Sequence, residues 1–594
     1  MLRSENYVPV SRRNVAYGVI IVLFALLIGK FYYLQIYQHE KYRERADYNR
    51  IRLVTTNAPR GLILAKNGKI LAANRSEYTI SVIPVELVQV DGVLGRLSSY
   101  LDLSRSDIEK NMIKYGRGRF LPARICRGIP IDKLSYIEEH KNELPGVMYS
   151  EFPVRLYPDP SSPNLTHILG YLREIDKETL KKMDGGEYQL GDFIGAQGIE
   201  KQYELTLKGK KGHLYYQVDA MGCEVGLVQD RPPVLAEPGE NITLTIDADL
   251  QAYAETLLNR KIGAVVMLNS ITGEILTMVS KPDYRLDNFA GFIDTHQWQQ
   301  YLTDPARPLL NRATMGLYPP GSAMKIITTI AALENGLVNS NWAIECMGEY
   351  FYGDRIFGCW KPEGHGIVNM DKAITESCNI YFYQLVQRMG LNQWYKIASQ
   401  FGFGQLTGVD LPEEYSGLAP DKEFMNKKYG KRGWTKGYLL NIAIGQGDIL
   451  VTPLQMATFA ARLATKGKVV MPRLVSEPLI SESNRMEQKV KLSRSTWSTI
   501  YKLMYKVVND PNGTAYSSRV FNRSVKFYGK TGTAENPQGK PHAWFVGFAN
   551  KGNQSVSIAV LIENGGHGGE SAAPIASKMI QYFYGINSEI LTLQ

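Results

Sequence analysis

Residues 318–325 read Tyr-Pro-Pro-Gly-Ser-Ala-Met-Lys and place a serine three positions before a lysine. Proline and glycine favour entry into a helix, and the following residues predict a helix over 322–333 that ends at Gly336. Ser322 and Lys325 then share one helix face, with the hydroxyl at the positive end of the dipole. Because most neighbours are apolar or small, we expect Lys325 to be partly buried, with a lowered pKa that lets a neutral amine act as a base.

A second short motif, Ser377-Cys-Asn379, follows roughly 55 residues later and precedes a predicted helix. Ser377 is a candidate to relay a proton from the nucleophile to a leaving amine, and Asn379 is a candidate to bind a substrate amide. A plain helix cap is the ordinary alternative for such a serine. The motif therefore gains its meaning from the other two.

The third motif is Lys530-Thr-Gly-Thr533, which follows a predicted edge strand over 524–529. We expect Lys530, Thr531 and Thr533 to bind a carboxylate. Gly532 would let a substrate backbone come close, and the backbone N–H groups of Ser322 and Thr533 could form an oxyanion hole. The three motifs in this order indicate an enzyme that opens an amide bond through an acyl-serine.

The composition is that of a globular protein with several domains. The chain has 594 residues, 44% hydrophobic and 21% charged, with a formal charge of +10. A basic chain favours anionic surroundings such as lipid or a cell-wall polymer, although a mildly basic solvated surface is equally compatible. No basic run with interleaved aromatics suggests nucleic acid, and no phosphate-binding loop motif is present.

An N-terminal apolar run predicts one membrane anchor over residues 15–37. Residues 15–29 are apolar or weakly polar, Lys30 interrupts them, and an aromatic tail extends the segment to about 22 residues, enough to span a bilayer. Because no A-x-A cleavage site follows, an uncleaved anchor is favoured over a signal peptide. Basic residues flank both ends and do not decide orientation. The chemistry downstream places residues 1–14 in the cytoplasm and the body outside it.

Two domains are expected after the anchor. Residues 38–235 mix short strands and polar helices and predict a strand-rich pedestal or interaction domain. Pro and Gly residues over 231–239 mark a boundary. In residues 240–594, predicted strands lie near both ends and helices lie between them. A closing helix is predicted over 571–584. This order predicts an α+β fold with an antiparallel sheet covered by helices.

The three motifs match the S-x-x-K, S-x-N and K-[ST]-G motifs of class B penicillin-binding proteins, which the chain resembles over nearly its whole length after residue 15. The likeness is greatest to penicillin-binding protein 2, the subfamily of elongation enzymes. It extends to residues 310–325, 445–447, 511–515, 563–566, 59–61, 167–171 and 198–203. One departure lies at residues 64–68, where the family usually has aspartate and arginine before Asn-Gly.

The resemblance implies a penicillin-binding, serine β-lactamase-like fold and a peptidoglycan D,D-transpeptidase. Ser322 would attack a stem peptide ending in D-Ala-D-Ala, release the terminal D-Ala and pass the acyl group to an amine of a neighbouring stem peptide. β-Lactams would acylate the same serine. A RodA-type glycan polymerase and other elongation-complex proteins are the implied partners, at the bacterial inner membrane with a periplasmic catalytic domain.

Four candidate metal ligands lie close to the second motif: Cys346, Cys359, His365 and Cys378. Soft and borderline ligands of this kind suit a closed, structural tetrahedral zinc site, and some penicillin-binding protein 2 members are similar in holding zinc here. A disulfide with a spare thiol is the alternative, and Asp354 is a substitute ligand. Cys378 lies between Ser377 and Asn379, so a metal would fix that loop.

Three other functions remain open from the sequence. A β-lactamase shares the acylation chemistry, but the anchor, the pedestal and the lack of a clear deacylating glutamate motif disfavour it. A non-catalytic sensor or scaffold could use the same fold. Within the enzyme class, a division transpeptidase is the alternative to an elongation enzyme, and the expected activity is that of a serine-type D-Ala-D-Ala transpeptidase/carboxypeptidase.

Overall fold

The computed structural model describes residues 10–43, 51–116, 118–158, 163–183, 188–218, 224–229, 231–290, 295–476 and 489–586. Contacts divide the chain into two compact units. One comprises residues 1–59, 76–153 and 209–238, and the other comprises residues 60–75, 154–208 and 239–594. The second unit contains all the predicted catalytic and metal-binding residues.

The strands, in chain order, are β1 Ile51–Thr56, β2 Ile63–Leu64, β3 Ile70–Val82, β4 Ala123–Ile129, β5 Val147–Leu156, β6 Leu172–Glu174, β7 Phe193–Gly195, β8 Gly212–Val218, β9 Glu224–Leu227, β10 Ile242–Thr243, β11 Gly263–Asn269, β12 Ile275–Lys281, β13 Ala343–Cys346, β14 Glu349–Tyr352, β15 Arg355–Gly358, β16 Gly366–Asn369, β17 Lys526–Ala534, β18 His542–Lys551 and β19 Gln554–Ile562. The α-helices are Val10–Tyr32, Val90–Leu101, Arg105–Tyr115, Ile131–Glu139, Thr166–Leu169, Lys177–Lys181, Gly198–Gln202, Glu204–Leu207, Ala248–Leu257, Thr295–Thr303, Lys325–Glu334, Met370–Thr375, Asn379–Gln387, Leu391–Gln400, Lys422–Tyr429, Gly437–Ala443, Pro453–Ala464, Arg494–Asn509 and Gly568–Phe583.

The predicted anchor lies within a helix that begins at Val10. The α-helix Val10–Tyr32 continues as a π-helical turn, Tyr33–Tyr37. The most apolar 18 residues of this span have a mean hydropathy of 2.2, and none of them is buried. Among the described residues it is the one helix long and apolar enough to cross a membrane. A signal sequence would pass the same test. Residues 1–9 of the predicted cytoplasmic tail lie outside the described residues.

The first unit has its own apolar core beneath short antiparallel strands. β1, β8 and β9 form one antiparallel sheet, and β3 pairs antiparallel with β4. Helix Val90–Leu101 buries Val93, Leu94, Leu97 and Leu101, whose spacing gives it one apolar face. This strand-rich architecture is the one predicted for the pedestal.

A five-stranded antiparallel sheet organises the second unit, in the order β12-β11-β19-β18-β17. Almost every residue of its four strands other than β17 is buried, which requires helices on both faces. Helices that pack on these strands are Ala248–Leu257, Pro453–Ala464, Arg494–Asn509 and Gly568–Phe583. The predicted α+β fold is confirmed, and β17 is an edge strand as predicted.

The closing helix begins three residues before its predicted start. It runs over Gly568–Phe583, although two glycines are poor helix formers. A Cβ on Gly568 would lie 2.2 Å from the Trp544 carbonyl oxygen, and one on Gly569 would lie 2.2 Å from that of Thr514. Glycine is therefore required by close packing, which the local pattern does not reveal.

Candidate active site

The nucleophile turn, defined here as residues 318–325, enters its helix through a 3-10 turn. Gly321–Met324 is 3-10 helical and the α-helix begins at Lys325, whereas the sequence predicted one helix from Ser322. Side chains at i and i+3 eclipse in a 3-10 turn, so Ser322 and Lys325 still lie on one side. Gly321 has a φ of +56° and donates its N–H to the Gly445 carbonyl at 2.9 Å.

Glu563 binds one side chain at the start of the nucleophile turn and one that precedes it. Its carboxylate accepts hydrogen bonds from Arg312 Nε at 2.7 Å and from the Tyr318 hydroxyl at 2.6 Å. Burial and the Glu563 charge raise the pKa of Tyr318, so the phenol remains a donor. Trp544 Nε1 also donates to the Pro319 carbonyl at 3.0 Å. These hydrogen bonds therefore restrict the backbone that leads to Ser322.

Lys325 is completely buried beside the second motif. Its amine donates to the Ser377 carbonyl at 2.8 Å and to Asn379 Oδ1 at 2.7 Å, and lies 3.3 Å from Ser377 Oγ. Burial lowers the pKa of Lys325 to about 8, against a smaller opposing effect of the nearby cysteines. A neutral amine is therefore accessible near physiological pH, as the sequence predicted.

Ser377 joins the two lysines. Lys530 Nζ donates to Ser377 Oγ at 2.9 Å and to the Thr531 carbonyl at 3.1 Å. Burial first, and the Lys325 charge second, lower the pKa of Lys530 well below its usual value. Ser377 has a left-handed φ of +59°, which costs a non-glycine residue roughly 1–2 kcal/mol. In this conformation the Ser377 hydroxyl contacts both amines.

β17 brings the third motif to the same place. Its inner side pairs with β18, and among the described residues no strand pairs with its other edge. Thr531 Oγ1 lies 2.6 Å from Thr514 Oγ1, a hydrogen bond in which either hydroxyl can donate. A Cβ on Gly532 would lie 2.7 Å from the Pro320 carbonyl oxygen. Glycine at this position is thus needed for packing against the nucleophile turn.

These residues border one cleft of about 770 Å³. Of the predicted catalytic and substrate-binding residues, five line it: Ser322, Ser377, Asn379, Thr531 and Thr533; the predicted metal ligand Cys359 lines it too. Lys325 and Lys530 lie buried behind them, and Gly532 is packed against the turn. Sequence reasoning from chemistry missed several lining residues, among them Trp360, Tyr383, Asn441, Gln446, Glu535 and His567. Only the family-like stretch at 445–447 offered a signal for any of these.

The four predicted metal ligands form one buried cluster. Their ligand atoms all lie within 4.8 Å of one another. Cys346 Sγ and Cys359 Sγ are each 3.5 Å from His365 Nδ1, and the Asn379 N–H donates to Cys359 Sγ at 3.4 Å. Hydrogen bonds from Cys378 chiefly, and from His365, lower the pKa of Cys359. All four described cysteines in the chain, including the distant Cys126, are free thiols.

The cluster fits a tetrahedral zinc ion. Zn–N and Zn–S bonds of about 2.0 and 2.3 Å at a tetrahedral angle place nitrogen and sulfur about 3.5 Å apart, which is the observed separation for both pairs. Three thiols and one imidazole are also the donor types that zinc prefers. Asp354 is exposed at the turn between β14 and β15 and is not part of the cluster.

Comparison with known proteins gives consistent matches over the whole chain. Residues 263–581 match the family model described as penicillin binding protein transpeptidase domain, and residues 55–244 match that of the penicillin-binding protein dimerisation domain. The chain is similar to peptidoglycan D,D-transpeptidase MrdA of Salmonella typhimurium, with 33% identity over 98% of this chain and 97% of that protein.

Solved structures show the same likeness. In a complex between penicillin-binding protein PBP2 and MreC from Helicobacter pylori, the matching chain is 29% identical, with a TM-score of 0.79 over 90% of this chain and 99% of that one. A chain of a peptidoglycan synthase complex that coordinates polymerization and crosslinking is 27% identical. Its TM-score is 0.71, over 97% of this chain and 99% of that one.

Proposed function

The chain belongs to the penicillin-binding protein family, and from that premise we propose that it is a peptidoglycan D,D-transpeptidase working through an acyl-Ser322 intermediate. The single observation that carries the assignment is the meeting of both lysines on Ser377 Oγ, in the cleft that Ser322 lines. Two buried amines and two hydroxyls in one place supply a base, a proton relay and a nucleophile.

In the first half-reaction, Ser322 Oγ attacks the carbonyl carbon of the penultimate D-Ala. Neutral Lys325 accepts the hydroxyl proton, the C–N bond breaks, and the terminal D-Ala leaves as an amine. Ser377 Oγ, which lies beside both lysines, relays that proton from Lys325 to the leaving nitrogen, so Lys325 is neutral again once the acyl-enzyme has formed. The backbone N–H groups of Ser322 and Thr533 stabilise the developing oxyanion. Support comes from the close approach of the Thr533 backbone to Gly321, where an added Cβ would lie 3.1 Å from Thr533 N.

Substrate orientation falls to the third motif and to Asn379. Thr531 and Thr533 line the cleft and Lys530 lies behind them, so the terminal carboxylate of the donor would find two hydroxyls and a cation. An incoming carboxylate favours the charged form of Lys530 and offsets the burial that lowers its pKa. Gly532 keeps the strand close to the nucleophile turn, and Asn379 binds the amide of the donor.

In the second half-reaction, the amine of a neighbouring stem peptide attacks the ester carbon and Ser322 leaves. The same intermediate attacked by water would make the enzyme a D-Ala-D-Ala carboxypeptidase. Neutral Lys325 accepts a proton from the attacking amine, or from water in hydrolysis, and returns it to Ser322 Oγ as the ester C–O bond breaks. Because both outcomes use one acyl-enzyme, the nucleophile is the first thing to test.

Penicillin labelling followed by peptide mass spectrometry tests the nucleophile. We expect one covalent adduct per chain, on the peptide that contains Ser322, and none in a Ser322→Ala variant that retains the wild-type melting temperature. An adduct on another residue would refute the assignment. Rapid release of hydrolysed penicillin by the wild-type protein would indicate a β-lactamase.

The proposed setting is cell elongation at the bacterial inner membrane. Residues 15–37, which lie within the helix Val10–Tyr32 and its π-helical turn, would be the anchor, residues 1–14 the cytoplasmic tail, and residues 38–594 the periplasmic body, divided at 235–240 into pedestal and transpeptidase domain. Support comes from two solved structures that contain similar chains. One is a complex between PBP2 and MreC, and the other is a peptidoglycan synthase complex. We propose similar elongation partners, including a RodA-type glycan polymerase, for this chain.

Depletion of the protein in its host tests the elongation role. We expect rounded cells, and rescue by the wild-type gene but not by Ser322→Ala. Filamentous cells would instead indicate division, and rescue by Ser322→Ala would indicate a scaffold or sensor. Digestion of spheroplasts by an external protease tests orientation, because a periplasmic body would be cleaved in intact spheroplasts.

We also propose that Cys346, Cys359, His365 and Cys378 hold a structural zinc ion. When bound, the ion would link these side chains as a closed site with no exchangeable position. Cys378 would then hold Ser377 and Asn379, its chain neighbours, in place. Elemental analysis should find one zinc per chain, and a Cys–Cys bond within this group in the native protein would contradict the site.

A further inference from the structure

An exposed apolar surface lines the catalytic cleft next to the metal-ligand cluster. Ile356, Phe357 and Trp360 border the same cleft as Ser322, and the side chains of Ile356 and Trp360 are 60% and 52% exposed. Large apolar groups left in water forgo the stabilisation of burial. Grouped beside a reactive serine, they mark a place where a ligand covers them.

The Trp360 ring has a defined orientation despite its exposure. Its Nε1 donates to the Glu376 carbonyl at 3.0 Å, one residue before Ser377. The ring also packs against His365 edge-on, with centroids 5.6 Å apart and planes at 66°. A ring held at two points loses little conformational freedom when a ligand packs on it. Trp360 is therefore built as a contact surface.

The backbone of this segment is attached to the second motif. The Gly358 carbonyl accepts a hydrogen bond from Asn379 Nδ2 at 3.3 Å and from the Tyr383 hydroxyl at 3.4 Å. Cys359 Sγ accepts from the Asn379 N–H at 3.4 Å, and the Phe357 ring packs on that of Tyr383 with centroids 5.5 Å apart. These contacts set the position of the apolar surface relative to Ser377 and Asn379.

The cleft is also larger than the two terminal residues of the donor require. Its volume of about 770 Å³ lies in the range of pockets that enclose a ligand much larger than a dipeptide. Thr531 and Thr533 belong to the polar part of the lining and are suited to the terminal carboxylate. The apolar part is then left for the portion of the stem peptide that precedes D-Ala-D-Ala.

We propose that Ile356, Phe357 and Trp360 form an apolar wall that binds the aliphatic side chain of the donor residue immediately before D-Ala-D-Ala. The apolar wall rests on the proposed function, since it needs a donor peptide bound at Ser322. It makes Trp360 a specificity-determining residue. The metal-ligand cluster acquires a second role, because His365 and Cys359 position the wall.

The test uses two pentapeptides that differ only before D-Ala-D-Ala, one with lysine and one with glycine, offered to the full chain in detergent. D-Ala release gives kcat/KM for each. We expect the wild-type enzyme to prefer the lysine peptide, and Trp360→Ala to reduce that preference about tenfold, the scale on which apolar pockets discriminate. Trp360→Phe, which keeps an aromatic face, should retain part of the preference.

Phe351→Ala is the matched control. Phe351 lies opposite Ile356 in the same hairpin and is 69% exposed, but it does not line the cleft. We expect it to leave the preference unchanged. An equal loss for both peptides in Trp360→Ala, or no preference in the wild type, would overturn the apolar wall.

A further measurement separates the donor from the acceptor strand. If Trp360→Ala changed only the partition of the acyl-enzyme between water and an added amine acceptor, the donor assignment would be overturned. Penicillin labelling of every variant keeps the two proposals distinct. Label at Ser322 with no change in peptide preference refutes the apolar wall alone, whereas absence of label at Ser322 in the wild type refutes the proposed function.

Discussion

Two parts of the cleft lining are held together by different forces. The strand side, residues 526–534, is β17, which pairs with β18 over its whole length and packs against helix Arg494–Asn509. The strands of the cluster side, residues 343–379, form only two-stranded pairs of four residues each, β13 with β16 and β14 with β15, and the short helix Met370–Thr375 follows β16. Two-stranded ribbons are only marginally stable by themselves. We therefore expect the four clustered ligands, rather than a sheet, to stabilise this side.

The positions of the lining residues are fixed in a different way on each side. On the strand side, backbone hydrogen bonds and the close approach of Gly532 to Pro320 define the geometry. On the cluster side, a strained Ser377 and an exposed Trp360 are retained next to three thiols and an imidazole. Strain persists where the surroundings over-determine it. The proposed zinc ion would therefore let a small segment hold conformations that it would not adopt alone.

Removing the metal should have the largest effect, and it should be confined to one side. After chelation we expect amide hydrogen exchange over residues 343–379 to become roughly tenfold faster or more, because metal binding is folding free energy for such a site. Exchange over β17 serves as the internal control and should be unchanged. Equal acceleration on both sides would show that the comparison is wrong.

The pH dependence of penicillin acylation tests the buried base next to the cluster side. Lys325 must be neutral to accept a proton, so the acylation rate should rise about tenfold per pH unit below its pKa and level off above about 8. Stopped-flow acylation from pH 6 to 9 measures this. Lys325→Ala should be slower by roughly 10²–10⁴-fold and lose this pH dependence, and a profile unchanged by the substitution would exclude Lys325 as the base.

The same burial has a stability consequence with a defined sign. The folded-state pKa of Lys325 lies near 8 and its ordinary value is 10.5, so the folded protein binds the proton less tightly than the unfolded chain. The penalty, about 3 kcal/mol, is fully present below pH 8 and is lost as pH rises toward 10.5.

Substitutions at Ser377 should give the smallest effect and isolate the strain on the cluster side. Ser377→Gly and Ser377→Ala both remove the hydroxyl and should both slow acylation. Only glycine tolerates a φ of +59° without cost, so Ser377→Gly should be more stable than Ser377→Ala by about 1 kcal/mol. Urea unfolding measures the difference, and equal stabilities would mean that the backbone relaxes around Ser377.

Sequence reasoning predicted the chemistry of the site better than its shape. The motif residues Ser322, Lys325 and Ser377 were found because reactive groups must occur at set spacings. Trp360 was missed because an exposed tryptophan in a short loop carries no periodic signal. The early start of helix Gly568–Phe583 was missed for a related reason, since its glycines are required by close packing against carbonyl groups distant in the sequence.

The sequence by itself determined the family, the order of the three motifs, the strands of the sheet and the four thiol and imidazole residues that we propose as zinc ligands, because these are recorded in residue type and spacing. Only the tertiary structure decided that both lysines meet on Ser377 Oγ, that Gly532 packs against Pro320, and that Trp360 faces the cleft. These arrangements depend on contacts between segments far apart in the chain, whose distances and burial no local pattern encodes.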